Sequence, residues 1–136
     1  MRPFGPWLGT RPLALLFGVA CSLGHAEISV VDDSGKRITL SEPARRIVSL
    51  APHATELLFV IGAGKRIVGA SSGSDYPSEA SQLPSTGNSA RLDVERITLL
   101  KPDLIVAWTS GNNPRQIKRL RQQGYAVFES EPRRLD

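Results

Sequence analysis

From Arg46 onward, four short and almost continuously apolar runs alternate with helical patterns, and this alternation restricts the chain more than any other feature. The runs are Ile47-Val48-Ser49-Leu50, Ile67-Val68-Gly69-Ala70, Leu104-Ile105-Val106-Ala107 and Tyr125-Ala126-Val127-Phe128. A strand that is apolar on both sides needs cover on both sides, which is the condition of a parallel sheet between helical layers. Between the runs, Ala54 to Ile61 reads as a helix stopped by Gly62 and Gly64. Asp93 is placed to cap a helix over Val94 to Leu100 that must end near Pro102, and Pro77 to Gln82 suits a short helix. Asn113-Pro114 opens a third helix, with Ile117 and Leu120 on one face and a stop at Gly124. The predicted fold is α/β, a parallel sheet flanked by helices with right-handed crossovers. Upstream, Ile28 to Val31 and Arg37 to Leu40 flank the turn cluster Asp32-Asp33-Ser34-Gly35 and read as a hairpin, with Pro43 as the break.

The first 26 residues do not belong to that pattern. Arg2 and Arg11 precede an apolar stretch from Leu13 to Leu23, and Gly24-His25-Ala26 supplies small residues where a signal peptidase reads. This is the layout of a cleavable secretory signal. The apolar run is shorter than the ~20 residues of a membrane span. A lipoprotein acylated at Cys21 and a membrane anchor are the other readings. The expected organisation is a signal over residues 1–26, a hairpin segment over 27–43 and an α/β lobe over 44–136, in the periplasm. Asp136 follows directly on the last strand's loop, where a further helix or a whole second lobe is expected.

Cys21 is the only cysteine and leaves with the signal, so no disulfide framework is expected. His53 is then the only imidazole, so no Cys/His metal cluster and no resident cofactor are expected. Without Arg2 and Arg11, 15 basic residues face 13 acidic ones, a net charge of +2. That is a weak basis for binding nucleic acid, and Arg115, Lys118, Arg119 and Arg121 read as a solvated helix face.

Gly62-Ala63-Gly64-Lys65 fails as a phosphate-binding loop, because Phe59 stands where a glycine is needed and Arg66 where Ser or Thr is needed. No nucleophile sits in a catalytic context, so no enzyme is expected. Ligands of open parallel sheets bind beyond the C-terminal ends of the strands. Trp108 lies at such an end, suited to stack on a large flat ligand or to pack as an ordinary core tryptophan. Ala51-Pro52-His53 and Ser71 to Asp75 reach the same rim. His53 either faces a ligand or starts a helix with Glu56 bonding back to it. Asp75 either caps the short helix or serves the rim, and Tyr76 either packs there or offers its hydroxyl. Glu95 by spacing alone is a surface carboxylate.

Arg46-Ile-Val-Ser-Leu-Ala-Pro-His-Ala-Thr-Glu-Leu-Leu58 resembles the opening of the periplasmic cobalamin and iron-siderophore binding proteins. Val68-Gly-Ala-Ser-Ser-Gly-Ser-Asp-Tyr-Pro77, Leu92-Asp-Val-Glu-Arg-Ile97 and Lys101-Pro-Asp-Leu-Ile-Val-Ala-Trp108 continue the resemblance, the first and last of these toward the cobalamin branch. The resemblance implies the Rossmann-like N-terminal lobe of a two-lobed receptor, which holds a corrinoid such as vitamin B12 between its lobes and delivers it to an ABC permease. By the same resemblance Trp108 and the Ser71, Ser72, Gly73, Asp75 and Tyr76 loop contact the corrin or its nucleotide tail. Pro52 and the Gly87-Asn88 turn line the cleft, and Glu95 docks on permease arginines. Gly73 stands where a cobalamin binder can carry an aromatic ring, and Ser85 to Arg91 holds no tryptophan. A ferric siderophore, for which Arg91 would be the cation, or haem is the alternative ligand. Residues 27–136 alone, offering one wall, are expected to bind weakly.

Overall fold

The structure, a computed structural model, describes Gly24 and residues 26–133. The signal expected over residues 1–26 lies almost wholly outside the described residues. A two-stranded antiparallel hairpin comes first, β1 (Ile28–Val31) and β2 (Arg37–Leu40), with Ile28 opposite Leu40 and Val31 opposite Arg37. The main sheet follows as β3 (Ile47–Ser49), β4 (Ile67–Ala70), β5 (Leu104–Trp108) and β6 (Val127–Ser130), all parallel, in the order β4-β3-β5-β6. The helices are α1 (Pro52–Val60), α2 (Val94–Leu100) and α3 (Pro114–Gln122), with short 3-10 helices at Gly64–Arg66 and Ser78–Gln82.

The continuous apolar strands are explained by two cores, one on each face. Val48, Leu50, Ile105, Ala107 and Val127 pack with Val94 and Ile97 of α2 and Ile117 and Leu120 of α3. Ile47, Ile67 and Val106 pack with Ala54 and Leu58 of α1. On the α1 face Leu104, Trp108 and Phe128 are only half-buried, and Leu57 and Val60 of α1 are exposed.

The helix ends follow the sequence closely. The Asp93 side chain accepts from Arg96 N–H at 3.0 Å and that of Asn113 from Arg115 N–H at 3.0 Å, two N-caps where they were expected. Gly62 (φ +82°) and Gly124 (φ +92°) close α1 and α3 in the left-handed region. At each, the glycine N–H bonds three residues back and the next N–H five residues back, the Schellman pattern. The second of these closures moves β6. Tyr125 N–H is held by Leu120 C=O at 3.2 Å, so the last strand begins at Val127 rather than at Tyr125.

Two expected caps are corrected. Ala51, in an extended conformation, is the N-cap of α1, and Pro52 occupies the first turn, where a missing N–H costs nothing. His53 therefore lies inside the helix, and no side-chain cap bond forms with Glu56. Asp75 does not cap the Ser78–Gln82 turn, whose N-cap is Pro77.

Candidate functional site

The strand order dictates where the rim opens. The chain leaves β3 for β4 on one side and then crosses to β5 on the other, so the order reverses between β3 and β5. Connections leaving the C-terminal ends of these two strands run to opposite faces of the sheet, α1 to one and α3 to the other. This topological switch point is where open α/β sheets form their crevice. Pro52 and His53 follow β3, and Trp108 ends β5, so all three stand beside it.

There His53 and Trp108 meet edge to face, ring centroids 5.2 Å apart and planes at 83°. Both rings keep a buried nitrogen without a partner among the described residues, Nε2 of His53 and Nε1 of Trp108. An unpartnered buried N–H is costly, which makes these nitrogens unusual. Burial lowers the His53 pKa from its usual 6.5, while the Glu131 and Glu56 charges oppose that shift. Gly111 also lies against the indole. A Cβ there would lie 1.9 Å from Trp108 Cε3, so any side chain would displace the ring.

Asn112, unremarked in the sequence, ties the crevice together. Its Oδ1 accepts from Trp108 N–H at 2.6 Å, and its Nδ2 donates to Leu50 C=O at 3.0 Å and Ser89 C=O at 2.6 Å. Three loops are thereby joined through one buried amide. A buried amide bonded to two carbonyls of distant loops has no sequence signature. Its only hint was position, four residues past an aromatic at a strand end.

The Ser71 to Tyr76 loop is held differently. Thr55 Oγ1 lies 2.9 Å from Ser49 Oγ and 3.0 Å from Ser74 Oγ, and Ser74 Oγ lies 3.3 Å from Ser71 Oγ. All four hydroxyl residues are buried, so Ser71 directs its hydroxyl inward. Ser72, Gly73, Asp75 and Tyr76 are left exposed, Tyr76 at 68%. Gly73 has φ +85°, a conformation an aromatic residue rarely adopts, and faces Pro52.

Gly87 and Asn88 are joined to this rim, since Ser72 N–H donates to Gly87 C=O at 2.8 Å. They also border a second, outward groove that runs between α2 and α3 and includes Arg91, Glu95, Gln116 and Arg119. Glu95 is exposed on the first turn of α2 and faces that groove rather than the His53–Trp108 wall. The structure thus brings Pro52, His53, Gly73 and Trp108 toward one crevice and sets Glu95 apart. No group of three metal-ligating side chains assembles among the described residues.

Comparison with known proteins fits this geometry. A family model described as "Periplasmic binding protein" matches residues 47–135. A vitamin B12-binding protein of Vibrio cholerae serotype O1 is 47% identical over 94 residues, 69% of this chain and 34% of its own length. The vitamin B12-binding protein of Yersinia pestis is 41% identical over 96 residues, 71% of this chain and 34% of its own. The chain thus spans about a third of the length of the curated relatives it matches. Among solved structures, the periplasmic vitamin B12 binding protein BtuF of Vibrio cholerae superposes with a TM-score of 0.62 at 47% identity, covering 64% of this chain and 34% of that one. The periplasmic heme-binding protein RhuT from Roseiflexus sp. RS-1 gives 0.61 at 31% identity, covering 65% and 34%. The matched segment takes in all four parallel strands and both loops of the crevice, and the chain belongs to the periplasmic binding protein family.

Proposed function

We propose that this chain forms the N-terminal lobe of a periplasmic receptor for a corrinoid of the vitamin B12 type, feeding an ABC permease. The observation that carries the reading is the Trp108 wall. An indole is fixed at the switch point against Gly111 and His53, with its N–H unpartnered among the described residues. A rigid aromatic face beside the strand ends suits a broad, largely apolar ring system with polar substituents at its margin. The likeness to vitamin B12-binding proteins at 41–47% identity supports the same ligand class. Pro52 and Gly73 stand beside the wall, and the exposed Asp75 and Tyr76 of the same loop supply the remaining contacts of this lobe. Affinity then comes from stacking and desolvation, and no bond is made or broken. Glu95, exposed and away from the wall, is the carboxylate offered to cationic groups of the permease.

Haem is the second reading, favoured by the 31% identity to RhuT. The deciding experiment is calorimetric titration of cyanocobalamin, and separately of haemin, into protein expressed from the complete reading frame. One-to-one cyanocobalamin binding that weakens at least tenfold in Trp108→Ala is the expected result. Saturable binding of haemin alone would replace the corrinoid reading.

A further inference from the structure

The hairpin β1–β2 stands outside the parallel sheet, yet its turn is bonded to the ligand wall through a continuous chain of contacts. Asp33 N–H donates to Glu129 C=O at 3.0 Å, and Glu129 N–H donates to Asp32 Oδ2 at 3.1 Å. Glu131 N–H then donates to Asp33 Oδ2 at 2.7 Å. The turn therefore grips the outer edge of β6 at its end, through Glu129 and Glu131, nearly a hundred residues away in sequence. Glu131 carries the grip onward. One of its oxygens accepts from Ser110 N–H at 2.9 Å and the other from Ser110 Oγ–H at 2.9 Å. Ser110 adjoins Gly111, whose backbone lies against the Trp108 indole. The same carboxylate is near enough to His53 to act on its charge state.

The turn itself is built to hold. Asp32 is buried and accepts from Ser34 N–H at 3.0 Å, Ser34 Oγ–H at 2.7 Å and Lys36 N–H at 2.9 Å. Arg121 of α3 pairs with Asp32 and with Glu129, and Lys36 also pairs with Glu129. A turn that merely covered the edge of β6 would need only the Glu129 bonds. The two-pronged Glu131 contact to the 109–111 loop goes further than edge protection requires.

We propose that the hairpin turn is a positioning element of the ligand wall, with Asp33 and Glu131 holding the 109–111 loop and through it the Trp108 ring. The proposal rests on the corrinoid reading for its ligand. It makes a second claim that needs no ligand, namely that the hairpin orders a loop of the rim.

The test uses protein expressed from the complete reading frame, in Asp33→Ala, Glu131→Ala and Glu131→Gln forms. Amide hydrogen exchange is followed first, without ligand. Asp33→Ala and Glu131→Ala are expected to speed exchange of the Ser110 and Gly111 amides about tenfold, the scale of one lost charge-assisted hydrogen bond. Amides of β3 and β5 should keep their protection. Glu131→Gln retains an acceptor and should recover most of the protection. Cyanocobalamin affinity is then expected to fall several-fold in the two alanine forms. Unchanged exchange at 109–111 in Asp33→Ala would overturn the proposal. So would faster exchange there with cyanocobalamin affinity equal to the parent. If the parent binds no cyanocobalamin, the corrinoid reading fails, and the exchange measurement alone decides whether the turn orders the rim.

Discussion

The two loops beside the crevice are built on opposite plans. After β5, the chain spends its hydrogen bonds on its backbone. Asn112 takes the Trp108 N–H and Glu131 the Ser110 N–H, and the ring nitrogen of Trp108, like Nε2 of His53 after β3, has no partner among the described residues. After β4, the chain spends its side chains on itself. Ser71 and Ser74 turn inward to Thr55 and Ser49, and the tip is left with small or polar residues and an exposed Tyr76. One loop is a fixed apolar wall, the other a pinned base under a solvated tip. A flat ligand gains most from the first, because a ring already immobilised loses no rotamer freedom on binding. The second suits contacts that vary with the substituents of the ligand.

The contrast can be broken most sharply at Gly111. Alanine there would bring a methyl group 1.9 Å from Trp108 Cε3 and 2.2 Å from Cδ2, too close for either to stay. Gly111→Ala should cost about 2–3 kcal/mol, the upper range for overpacking, and lower cyanocobalamin affinity with it. Chemical denaturation and titration read the two effects. A loss below about 0.5 kcal/mol would mean that the indole swings freely and that the wall is not fixed. Next comes Asn112→Ala. It leaves the Trp108 N–H and the Leu50 and Ser89 carbonyls without their partner at a buried position. The expected cost is about 2 kcal/mol in the same denaturation assay, since orphaned buried groups lose their full desolvation free energy.

The difference between the loops also marks how far the sequence could be read. The sheet was legible because β-branched runs bounded by Gly, Pro and Asn admit few alternatives, and the caps at Asp93 and Asn113 are local chemistry. Trp108 and Pro52 could be put on the rim because strand ends follow from strand positions. What stayed hidden depends on contacts distant in the chain. Asn112 is bonded to Leu50, Asp33 to Glu131 and Thr55 to Ser74, and no local pattern encodes a partner 19 to 98 residues away. The two mistaken caps have a local cause. Pro52 inside the first turn puts the start of α1 ahead of His53, whereas Pro77 is itself the N-cap of the next turn and delays its start past Asp75. Asp32 looked like an ordinary turn residue until the arginine of α3 was brought to it.

On the inward-bonded loop the effects should be smaller. Thr55→Val keeps the shape of a fully buried side chain and removes one hydroxyl from the group formed with Ser49 and Ser74. About 1 kcal/mol is the expected loss, because the two serines retain Ala51 C=O and Ser71 as partners. The wall should be untouched, so cyanocobalamin affinity in Thr55→Val should stay within about twofold of the parent. A larger fall would mean that the two loops act as one unit.

The smallest expected effect is a pH dependence centred on the wall. His53 has its pKa lowered by burial against Trp108, with Glu131 and Glu56 pulling the other way. A lowered folded-state pKa means that the unfolded chain takes up the proton first as the pH falls. The contribution of neutral His53 is therefore complete above the unfolded value of about 6.5 and is lost as the pH drops through the folded one. Asp32 is separate from this window. Burial alone would raise its carboxyl, but hydrogen bonds from the Ser34 hydroxyl and from the Glu129, Lys36 and Ser34 N–H groups prevail and hold it below 3.8. Its stabilisation is lost only in acid. Denaturation of the parent at pH 7 and pH 5 should thus show a modest decline that His53→Leu removes. In Glu131→Gln the decline should be steeper, because the charge that eases protonation of His53 is gone. An identical decline in the parent and His53→Leu would mean that the imidazole titrates as it does in water, and that its contact with the indole does not keep it dry.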